Sequence, residues 1–479
     1  MKPENSRAYG VRNGILQSGF VGLVIADLLQ EYSTFSPATP DTTESELWVH
    51  PSSAGSLQAA VAAAATLNSA TIHLHEGVHR LNQPLVLDQR HSRTRFVGHG
   101  RAIVSGGVTV GGPSSDGGKN LSSWTVVPGM SAKCAGCQGQ IWKAATPKGV
   151  ESRQFYVNGV RANRTWMPFP AGSTKDPQGS VISVPGADLQ AFQFNQSAIE
   201  LVYRGASSAG SQWQESRCPV ATITKGPEQL AAGLGAMNEC AADYCPKTEC
   251  PQDPPTGTPI NRSSCGAGVT PCICTADAPL CVGYVYNHHW GTCMPKDYMH
   301  NRTMVAVKQP CAHNGNIKVG GSQALRIPAF LENIKELLGD AVNGHPGDYY
   351  LDAQEGAVYY VPRAGETPAS VVGELPTVEN LVVANTVDGV SYHNVEFQHS
   401  TWMGPSGPYG FVDIQGGYTL HCNEGDPCGS GGAGGPGEAR ETPASLQFRG
   451  AKNVTFTDCG FRYAHIPYDW TLLSLRSGF

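Results

Sequence analysis

The sequence predicts an all-β protein whose short strands stack in successive coils as a parallel β-helix. Short apolar stretches bounded by turn residues follow one another too closely for βαβ units. An Asn-Val-x-Phe element occurs at 394–397 and again at 453–456. Because one coil cannot bury its own apolar face, repeated units of this kind are expected to stack on one another.

A short cap helix is predicted ahead of the first coils. The run SLQAAVAAAATL, which begins at Ser56, places four apolar residues at helical spacing: Leu57, Val61, Ala64 and Leu67. It leads into the alternating stretch ATIHLHEG, in which Ile72 and Leu74 face the core and His73 and His75 face outward. Further strands are predicted in the runs QPLVLDQ, SRTRFVGHG, RAIVSGG, VENLVVAN, DGVSYHNVEFQHS and PASLQFRGAKNVTFTDCGFRYA.

Composition excludes several classes of protein. Charged residues make up only 15% of the chain and the net charge is -6, so no basic excess is present to bind nucleic acid. No apolar run reaches the roughly 18 residues that span a bilayer. The glycine-rich run 429–439 is interpreted as a surface loop rather than a phosphate cradle, and no P-loop or GxSxG motif occurs. A globular protein without a cofactor is expected.

Cysteine usage predicts an oxidised protein. Of the 15 cysteines, ten fall within 218–311: Cys218, Cys240, Cys245, Cys250, Cys265, Cys272, Cys274, Cys281, Cys293 and Cys311. Two further disulfide candidates join neighbours in the sequence, Cys134 with Cys137 and Cys422 with Cys428, which leaves Cys459 as a free thiol. Zinc coordination is the alternative role for these cysteines. Their spacings contain no repeated CxxC, however, and no metal is predicted.

Secretion is predicted from the cysteines and from Asn-x-Ser/Thr sequons. The glycosylation candidates are Asn120, Asn195, Asn261 and Asn301. Residues 1–46 form a leader in which basic residues precede GFVGLVIADLL, as in a signal peptide, although Asp27 interrupts the run and no small-residue cleavage site follows. A secreted or cell-surface location is therefore expected.

Longer stretches of the sequence resemble one family of carbohydrate-active proteins. They are ATIHLHEGVHRLNQPLVLD, QFYVNGVRANRTWMP at 154–168, FLENIKELLGD with DYYLDAQEGAVYYVP at 330–362, and VSYHNVEFQHSTW with FVDIQGG at 390–417. Together they are similar to glycoside hydrolase family 141, whose known members include an α-L-fucosidase and a xylanase. The resemblance implies a right-handed, pectin-lyase-like parallel β-helix with a β-sandwich insertion, acting on a polysaccharide or other glycan.

This resemblance divides the chain into segments. After the leader, the N-terminal cap and first coils occupy 47–112, a β-rich insertion occupies 113–217 and 312–377, the Cys-rich insertion lies at 218–311, and the last coils occupy 378–479. Within the β-rich insertion, QFYVNG and DYYLDAQEGAVYYVP are predicted hairpins with Asn-Gly and Glu-Gly turns. In the family, catalytic carboxylates are expected on coils beyond the equivalent of NVTFTDCGFRYA, so this chain is expected either to be truncated or to be a shortened homologue, and in both cases to lack turnover.

Candidate site residues follow from the chemistry of glycoside hydrolysis, which needs two carboxyl groups. Asp413 in GFVDIQGG is the predicted groove acid, and Gln415 lies on the same strand face. Trp402 and Trp166 are candidate platforms for sugar rings, because a flat apolar ring suits the C–H face of a pyranose. His465 is a further substrate-binding candidate.

Several alternatives stay open at the level of sequence. Asp388 and Asp458 adjoin turn signals and are interpreted as turn residues. His73 and His75 could instead bind a metal if other ligands converged on them. A non-catalytic carbohydrate-binding or cell-surface protein is the first alternative to a hydrolase, and a polysaccharide lyase is the second. The sequence does not predict an oligomeric state.

Overall fold

The structure is a computed structural model. It describes residues 45–51, 55–111, 123–175, 180–204, 215–225, 302–317, 327–413, 417–423 and 439–463, together with the backbone of strands at 284–287, 292–295 and 473–476. The chain divides into two compact units. Unit 1 comprises Met1–Leu121, Val372–Trp402 and Pro443–Phe479, and unit 2 comprises Ser122–Val371 and Met403–Thr442.

The described chain is mostly β-structure. The strands up to residue 204 are β1 (Ser45–Val49), β2 (Ala70–Leu74), β3 (Gly77–Arg80), β4 (Leu85–Leu87), β5 (Arg95–Ser105), β6 (Gly107–Val110), β7 (Thr125–Val126), β8 (Trp142–Ala145), β9 (Tyr156–Val157), β10 (Val160–Arg161), β11 (Asn163–Arg164), β12 (Trp166–Pro168), β13 (Thr174–Lys175), β14 (Val181–Pro185) and β15 (Glu200–Arg204).

The strands after residue 204 continue this numbering. They are β16 (Glu215–Lys225), β17 (Tyr284–Asn287), β18 (Thr292–Pro295), β19 (Arg302–Val307), β20 (Phe330–Glu332), β21 (Asp348–Asp352), β22 (Ala357–Tyr360), β23 (Gly373–Pro376), β24 (Val382–Asn385), β25 (Ser391–Gln398), β26 (Tyr418–Leu420), β27 (Ala439–Glu441), β28 (Leu446–Arg449), β29 (Thr455–Thr457), β30 (Gly460–Arg462) and β31 (Leu473–Arg476). The α-helices are α1 (Ser56–Ala64) and α2 (Cys311–Ile317). Short 3₁₀ helices occur at Gln89–His91, Asp188–Ala191, Gln196–Ala198, Lys335–Leu337 and Gly404–Ser406.

Unit 1 contains two sets of parallel strands. One set runs in the order β1-β2-β5-β25-β29, with β3 and β30 paired to the second halves of β5 and β25 respectively. The other set runs in the order β4-β24-β28-β31. Paired residues of neighbouring strands lie opposite one another. Similar side chains therefore stack from strand to strand within each set. Parallel strands buried in this way read in the sequence as short apolar runs, which is the pattern that predicted them.

Aromatic rings stack across the parallel strands in the core of unit 1. Tyr392 lies between Phe96, at a centroid distance of 4.7 Å, and Phe456, at 4.9 Å, with both partners nearly parallel to it. Phe397 stacks in the same way on Phe461 at 5.7 Å. Phe456 therefore aligns with Tyr392 rather than with Phe397. The two Asn-Val-x-Phe elements thus occupy different positions of the repeating unit and do not align with each other.

The reason for this offset is that each stretch has two extended segments, the two halves of β25 in one stretch and β29 and β30 in the next, and each segment follows a residue in the left-handed conformation. Asn453 precedes the first strand of its stretch with φ of 52°, as Gly389 does in the preceding stretch with φ of 71°. Asn394 and Asp458, each with φ of 54°, stand before the second strand. Asn, Asp and Gly tolerate this conformation, so one local signal recurs at two places.

Helix α1 forms where the apolar spacing predicted it. Leu57, Val61 and Ala64 are buried and pack in the core of unit 1, whereas Leu67, beyond the helix, is partly buried. The strand that follows also has the predicted orientation, since Ile72 and Leu74 are fully buried. Periodicity within one segment is thus sufficient to orient both elements.

Unit 2 is built largely from antiparallel strands. The predicted hairpin at 156–161 pairs β9 with β10 around Asn158 and Gly159, both with positive φ. The predicted hairpin at 348–360 pairs β21 with β22 around Gly356, whose φ is 74°. Both turns use the residues that tolerate the left-handed conformation, which confirms these two predictions.

Residues of the predicted last coils also belong to unit 2. Phe411 forms a bridge to Arg217, and Val412 packs with Leu420 and Cys422 in the core of unit 2. These apolar side chains are buried against the antiparallel strands, so the described residues between 403 and 442 belong to unit 2, within the stretch 378–479 that the sequence predicts as coils.

Disulfides form at two of the predicted places. Cys134 is bonded to Cys137, and Cys218 is bonded to Cys311, which joins the two ends of the predicted Cys-rich segment. Cys459 is free, as predicted. Cys422 is disulfide-bonded as well. The remaining disulfide candidates lie outside the residues whose side chains the structure describes: Cys240, Cys245, Cys250, Cys265, Cys272, Cys274, Cys281, Cys293 and Cys428.

Candidate functional site

A groove of about 360 Å³ lies on the surface of unit 1, across three successive parallel stretches of chain. One stretch supplies residues of β5, the next residues of β25 and the third residues around β30. The lining residues are Gly100, Arg101, Ala102, Asn394, Val395, Glu396, Asp458, Cys459, Gly460, Phe461 and Arg462. A groove that crosses parallel strands can contact several units of a linear polymer in succession.

A bend in β5 shapes one wall of this groove. Asn394 donates two side-chain hydrogen bonds of 2.9 Å, to the carbonyl oxygens of Gly98 and Gly100. A Cβ atom on Gly98 would lie 2.0 Å from the Asn394 carbonyl oxygen, so the close approach of the two chains requires glycine there. The side-chain amide of Asn394 therefore links β25 to β5 at the point where the register of their pairing shifts.

Charged side chains occupy the floor of the groove. The Glu396 carboxylate lies 3.0 Å from Nε of Arg101 and 2.5 Å from Nε of Arg462. Asp458 is exposed, and one of its carboxylate oxygens lies 3.9 Å from Nδ1 of His393. The groove therefore offers carboxylate acceptors beside guanidinium donors, a combination that suits the hydroxyl groups of a sugar.

The free thiol also lines the groove. Cys459 is partly buried, and its Sγ lies 3.4 Å from the carbonyl oxygen of Thr457 and 3.5 Å from that of Tyr392. Burial raises the pKa of this thiol, which disfavours the reactive thiolate. Cys459 is therefore a packing residue of the groove wall rather than a nucleophile.

The sequence-predicted site residues do not come together in this groove. Asp413 lies in unit 2, is 4% exposed, and donates its backbone amide to Oγ of Ser216. Trp402 lies in unit 1 and is 7% exposed. Gln415 and His465 lie outside the described residues. The groove acids are instead Glu396 and Asp458, of which Asp458 is interpreted from the sequence as a turn residue.

Trp166 lies in unit 2 on β12, directly opposite Glu332. Its ring stacks parallel to that of His345, with a centroid distance of 5.6 Å, and meets Phe330 edge-on at 5.2 Å. These contacts hold the indole in place while leaving it partly exposed.

Of the predicted glycosylation sites, Asn195 is exposed, and Asn120, Asn261 and Asn301 lie outside the described residues.

A buried ionic cluster in unit 2 was not predicted from the sequence. Glu200 is 1% exposed and accepts hydrogen bonds from Arg153, from both Nη atoms of Arg164 at 2.9 and 3.0 Å, and from Oγ of Ser406 at 2.7 Å. Arg217 lies 3.7 Å from Glu200 and 2.6 Å from Glu332. We refer to these groups as the Glu200 cluster.

Electrostatics argue against a catalytic role for the Glu200 cluster. Burial alone would raise the pKa of Glu200, but Arg153 and Arg164 hold it well below its usual range. The pKa of Glu332 is lowered in the same way by Arg217 and Arg164. A general acid must instead hold its proton near the working pH, so the cluster is suited to structure and not to proton transfer.

Two carboxyl groups elsewhere in the described chain have a raised pKa, and neither lines the groove. Burial raises the pKa of Asp348 in unit 2 to about 7, but its side chain is inaccessible to a substrate. Burial also raises the pKa of Glu379 in unit 1, which follows the bridge between Val378 and Ser400 and is exposed at the surface. Glu379 is therefore the better placed proton donor.

Asp348 makes stability depend on pH. Its carboxyl binds a proton more tightly when folded than when unfolded, so the free energy of unfolding is expected to fall as pH rises from about 4 to about 7 and then level off. An Asp348→Asn variant keeps an acceptor for the His345 amide and removes the titration. We expect it to be more stable than the parent at pH 8 by about 2 to 4 kcal/mol.

Asp352 provides a matched control on the same strand. Burial raises its pKa, but hydrogen bonds from the Glu355 amide and from Lys335 outweigh this effect. The net result is a lowered pKa, opposite to that of Asp348. Asp352→Asn is therefore expected to destabilise the protein at neutral pH. Urea unfolding curves at pH 5 and pH 8 measure both effects, and a loss of stability at pH 8 in the Asp348→Asn variant would contradict the assignment.

Comparison with known proteins finds a solved structure with a similar fold. No family model and no curated protein sequence matches the chain. A solved structure titled "Glycoside hydrolase" is similar, with a TM-score of 0.52 and 16% sequence identity over 87% of this chain. The match spans 61% of that structure's own length. At this level of identity the similarity concerns the fold alone, and the chain has a glycoside-hydrolase-like fold.

Proposed function

We propose that this chain is a secreted, glycan-binding protein of glycoside hydrolase type and that unit 1 is a right-handed parallel β-helix. The parallel, in-register strands and the stacked rings of its core support this architecture, with the antiparallel strands of unit 2 as a β-sandwich insertion. The two disulfides suit an oxidising compartment. Within the described residues, no helix is long and apolar enough to cross a membrane.

The observation that carries the functional proposal is the polar groove across the parallel strands of a chain with this fold. Its three stretches present Arg101, Glu396 and Arg462 in turn. A carboxylate held between two guanidinium groups accepts hydrogen bonds from sugar hydroxyls, and the guanidinium groups donate to sugar oxygens. The groove is thus equipped first of all to bind a glycan.

Hydrolysis requires a proton donor in addition to binding. In unit 1, Glu379 meets this requirement best, because burial raises its pKa while its surface stays accessible. Glu379 does not line the groove in which Asp458 is exposed, so these two acids are not proposed as a catalytic pair acting on one glycosidic bond. We propose glycan binding as the function of the groove, with Glu379 as a separate candidate proton donor.

The proposal is tested by assaying binding and turnover on xylan-type and fucosylated oligosaccharides. Glu396→Gln is expected to weaken binding about tenfold, since it removes a charge-assisted acceptor. Glu379→Gln is expected to lower turnover by about 10² to 10⁴ with binding retained. Glu151→Gln, which changes an exposed carboxylate in unit 2, is the matched control and should alter neither.

The same assay separates the remaining candidates. Asp413→Asn examines the acid predicted from the sequence, and loss of turnover in this variant alone would move the active site to unit 2. Binding without turnover by the parent protein would favour a carbohydrate-binding protein, a function that the ion pairing of Glu396 also favours. An unsaturated product absorbing in the ultraviolet would indicate a lyase.

A further inference from the structure

A cluster of aromatic rings covers part of the outer face of the parallel strands in unit 1, and one member, His99, directly precedes the groove residue Gly100. Its members lie on or beside β1, β2 and β5: Trp48, His50, His73, His75 and His99. The neighbouring side chains of the same strands, Val49, Ile72 and Leu74, are buried. Because side chains alternate along a strand, the rings stand on the opposite, outward face. We call these five rings the Trp48 cluster.

The rings beneath Trp48 are fixed by stacking and by hydrogen bonds. The indole is nearly parallel to His73, with a centroid distance of 4.2 Å, and to His99, at 5.0 Å. The Nδ1 atom of His73 lies 2.8 Å from Nε2 of His99, and its Nε2 atom is hydrogen-bonded to the carboxylate of Glu46. Both nitrogens of His73 are therefore engaged, which holds the support for the indole in one orientation.

Among the tryptophans that the structure describes, Trp48 is the most exposed. Its exposed fraction is 55%, whereas Trp166 is partly exposed and Trp142, Trp124 and Trp402 are 1%, 3% and 7% exposed. Packing against the described residues of unit 1 does not account for an indole that leaves half of its surface in water. An exposed aromatic ring held rigidly from below is instead the arrangement of a binding platform, because the ligand need not immobilise it.

The chemical groups around Trp48 indicate the kind of ligand that it can bind. The indole face offers an apolar plane, and the half-exposed carboxylate of Glu46 beside it accepts hydrogen bonds. A pyranose ring fits both features, since it has an apolar C–H face and hydroxyl groups at its rim. The carboxylate disfavours an anionic sugar by like-charge repulsion.

We propose that Trp48, which is not among the residues that line the groove, is an ancillary platform for a neutral sugar unit of a glycan. The inference rests on the proposed glycan-binding function, but it assigns a separate site with its own residues. Such a platform would hold a polymer to unit 1 even when no sugar occupies the groove. Its contribution is therefore greater for long chains and solid polysaccharide than for a disaccharide.

The test measures binding of the full chain to insoluble xylan and to a neutral xylan-type oligosaccharide. Trp48→Ala is expected to weaken binding to insoluble xylan about tenfold, the factor that corresponds to one lost stacking contact, and to weaken binding to the oligosaccharide less. Val86→Ala, which removes another exposed apolar side chain of unit 1, is the matched control and should have no effect. Circular dichroism of each variant verifies that the β-structure is retained.

Outcomes with a groove variant distinguish this inference from the proposed function. If Trp48→Ala weakens binding while Glu396→Gln does not, the platform is supported and the groove assignment fails. If Glu396→Gln weakens binding while Trp48→Ala does not, the platform is rejected and the groove stands. A change in oligomeric state with unaltered glycan binding in Trp48→Ala would overturn the inference by showing that a second copy of the chain covers the indole.

Discussion

Replacing Glu200 by Gln is expected to lower the free energy of unfolding by about 3 to 5 kcal/mol, the range found when one partner of a buried ion pair is removed. Glu200 is 1% exposed and neutralises Arg153, which is 7% exposed, and Arg164, which is 11% exposed. The substitution keeps the shape of the side chain and removes the negative charge that Arg153 and Arg164 share. Urea denaturation of the purified variant measures the loss.

The controls for this prediction separate charge from packing. Glu151→Gln makes the same chemical change at an exposed position and is expected to alter stability by no more than about 0.5 kcal/mol. The double variant Glu200→Gln with Arg164→Met removes one unpaired cation as well, and we expect it to be more stable than the single Glu200 variant. A Glu200→Gln protein as stable as the Glu151→Gln protein would show that the cluster is not held by its charges.

The acidity of Glu200 adds a pH dependence to the same result. Its pKa when folded lies below that of the unfolded chain, so its contribution to stability is present above the unfolded pKa and is lost as pH falls through the folded value. The Glu200→Gln variant is therefore expected to differ from the parent most at neutral pH and least in strong acid. This dependence has the opposite sign to that of Asp348.

The helix and the hairpins that depend on a short run of residues could be predicted from the sequence. The spacing of Leu57, Val61 and Ala64 is a property of one segment, and helix α1 follows from it. The Asn158-Gly159 and Glu355-Gly356 turns likewise fix their hairpins within a few residues, because Asn158 and the two glycines reach the left-handed conformation at little cost. In each case the physical cause and its structural effect lie within one stretch of sequence.

The candidate site depends on pairings that no local pattern specifies. Arg101 and Glu396 lie 295 residues apart in the chain and meet only because β5 and β25 are neighbours. Glu200 similarly lies in an alternating strand whose sequence gives no sign that three arginines surround it. Single charged residues read as solvent-exposed in a sequence, since that is their usual environment.

The different placement of Asp413 has a related cause. The alternation in GFVDIQGG correctly suggested an extended segment, and Asp413 does form a bridge, to Thr419. Its neighbour Phe411 pairs with Arg217 of unit 2. Alternation indicates which residues share a face, but it does not indicate which sheet the segment joins.

Removing the Cys218–Cys311 disulfide is expected to destabilise unit 2 by about 4 to 5 kcal/mol, because this bond closes a long loop and thereby restricts the unfolded chain. The two cysteines are 93 residues apart, and both are fully buried. The variant Cys218→Ala with Cys311→Ala removes the bond without placing polar groups in the core. Its free energy of unfolding, measured in urea without reductant, gives the contribution of the bond.

The Cys134–Cys137 disulfide is the matched control for this prediction. Its cysteines are only three residues apart, so the loop it closes is short and the same entropy argument gives about 2 kcal/mol. The variant Cys134→Ala with Cys137→Ala should therefore lose less than half as much stability as the Cys218→Ala, Cys311→Ala protein. Equal losses, or the reverse order, would show that local packing around the sulfur atoms and not loop closure determines the effect. Because Cys311 begins helix α2 and Cys218 lies within β16, the expected order also tests whether the ends of the Cys-rich segment are held together chiefly by this bond.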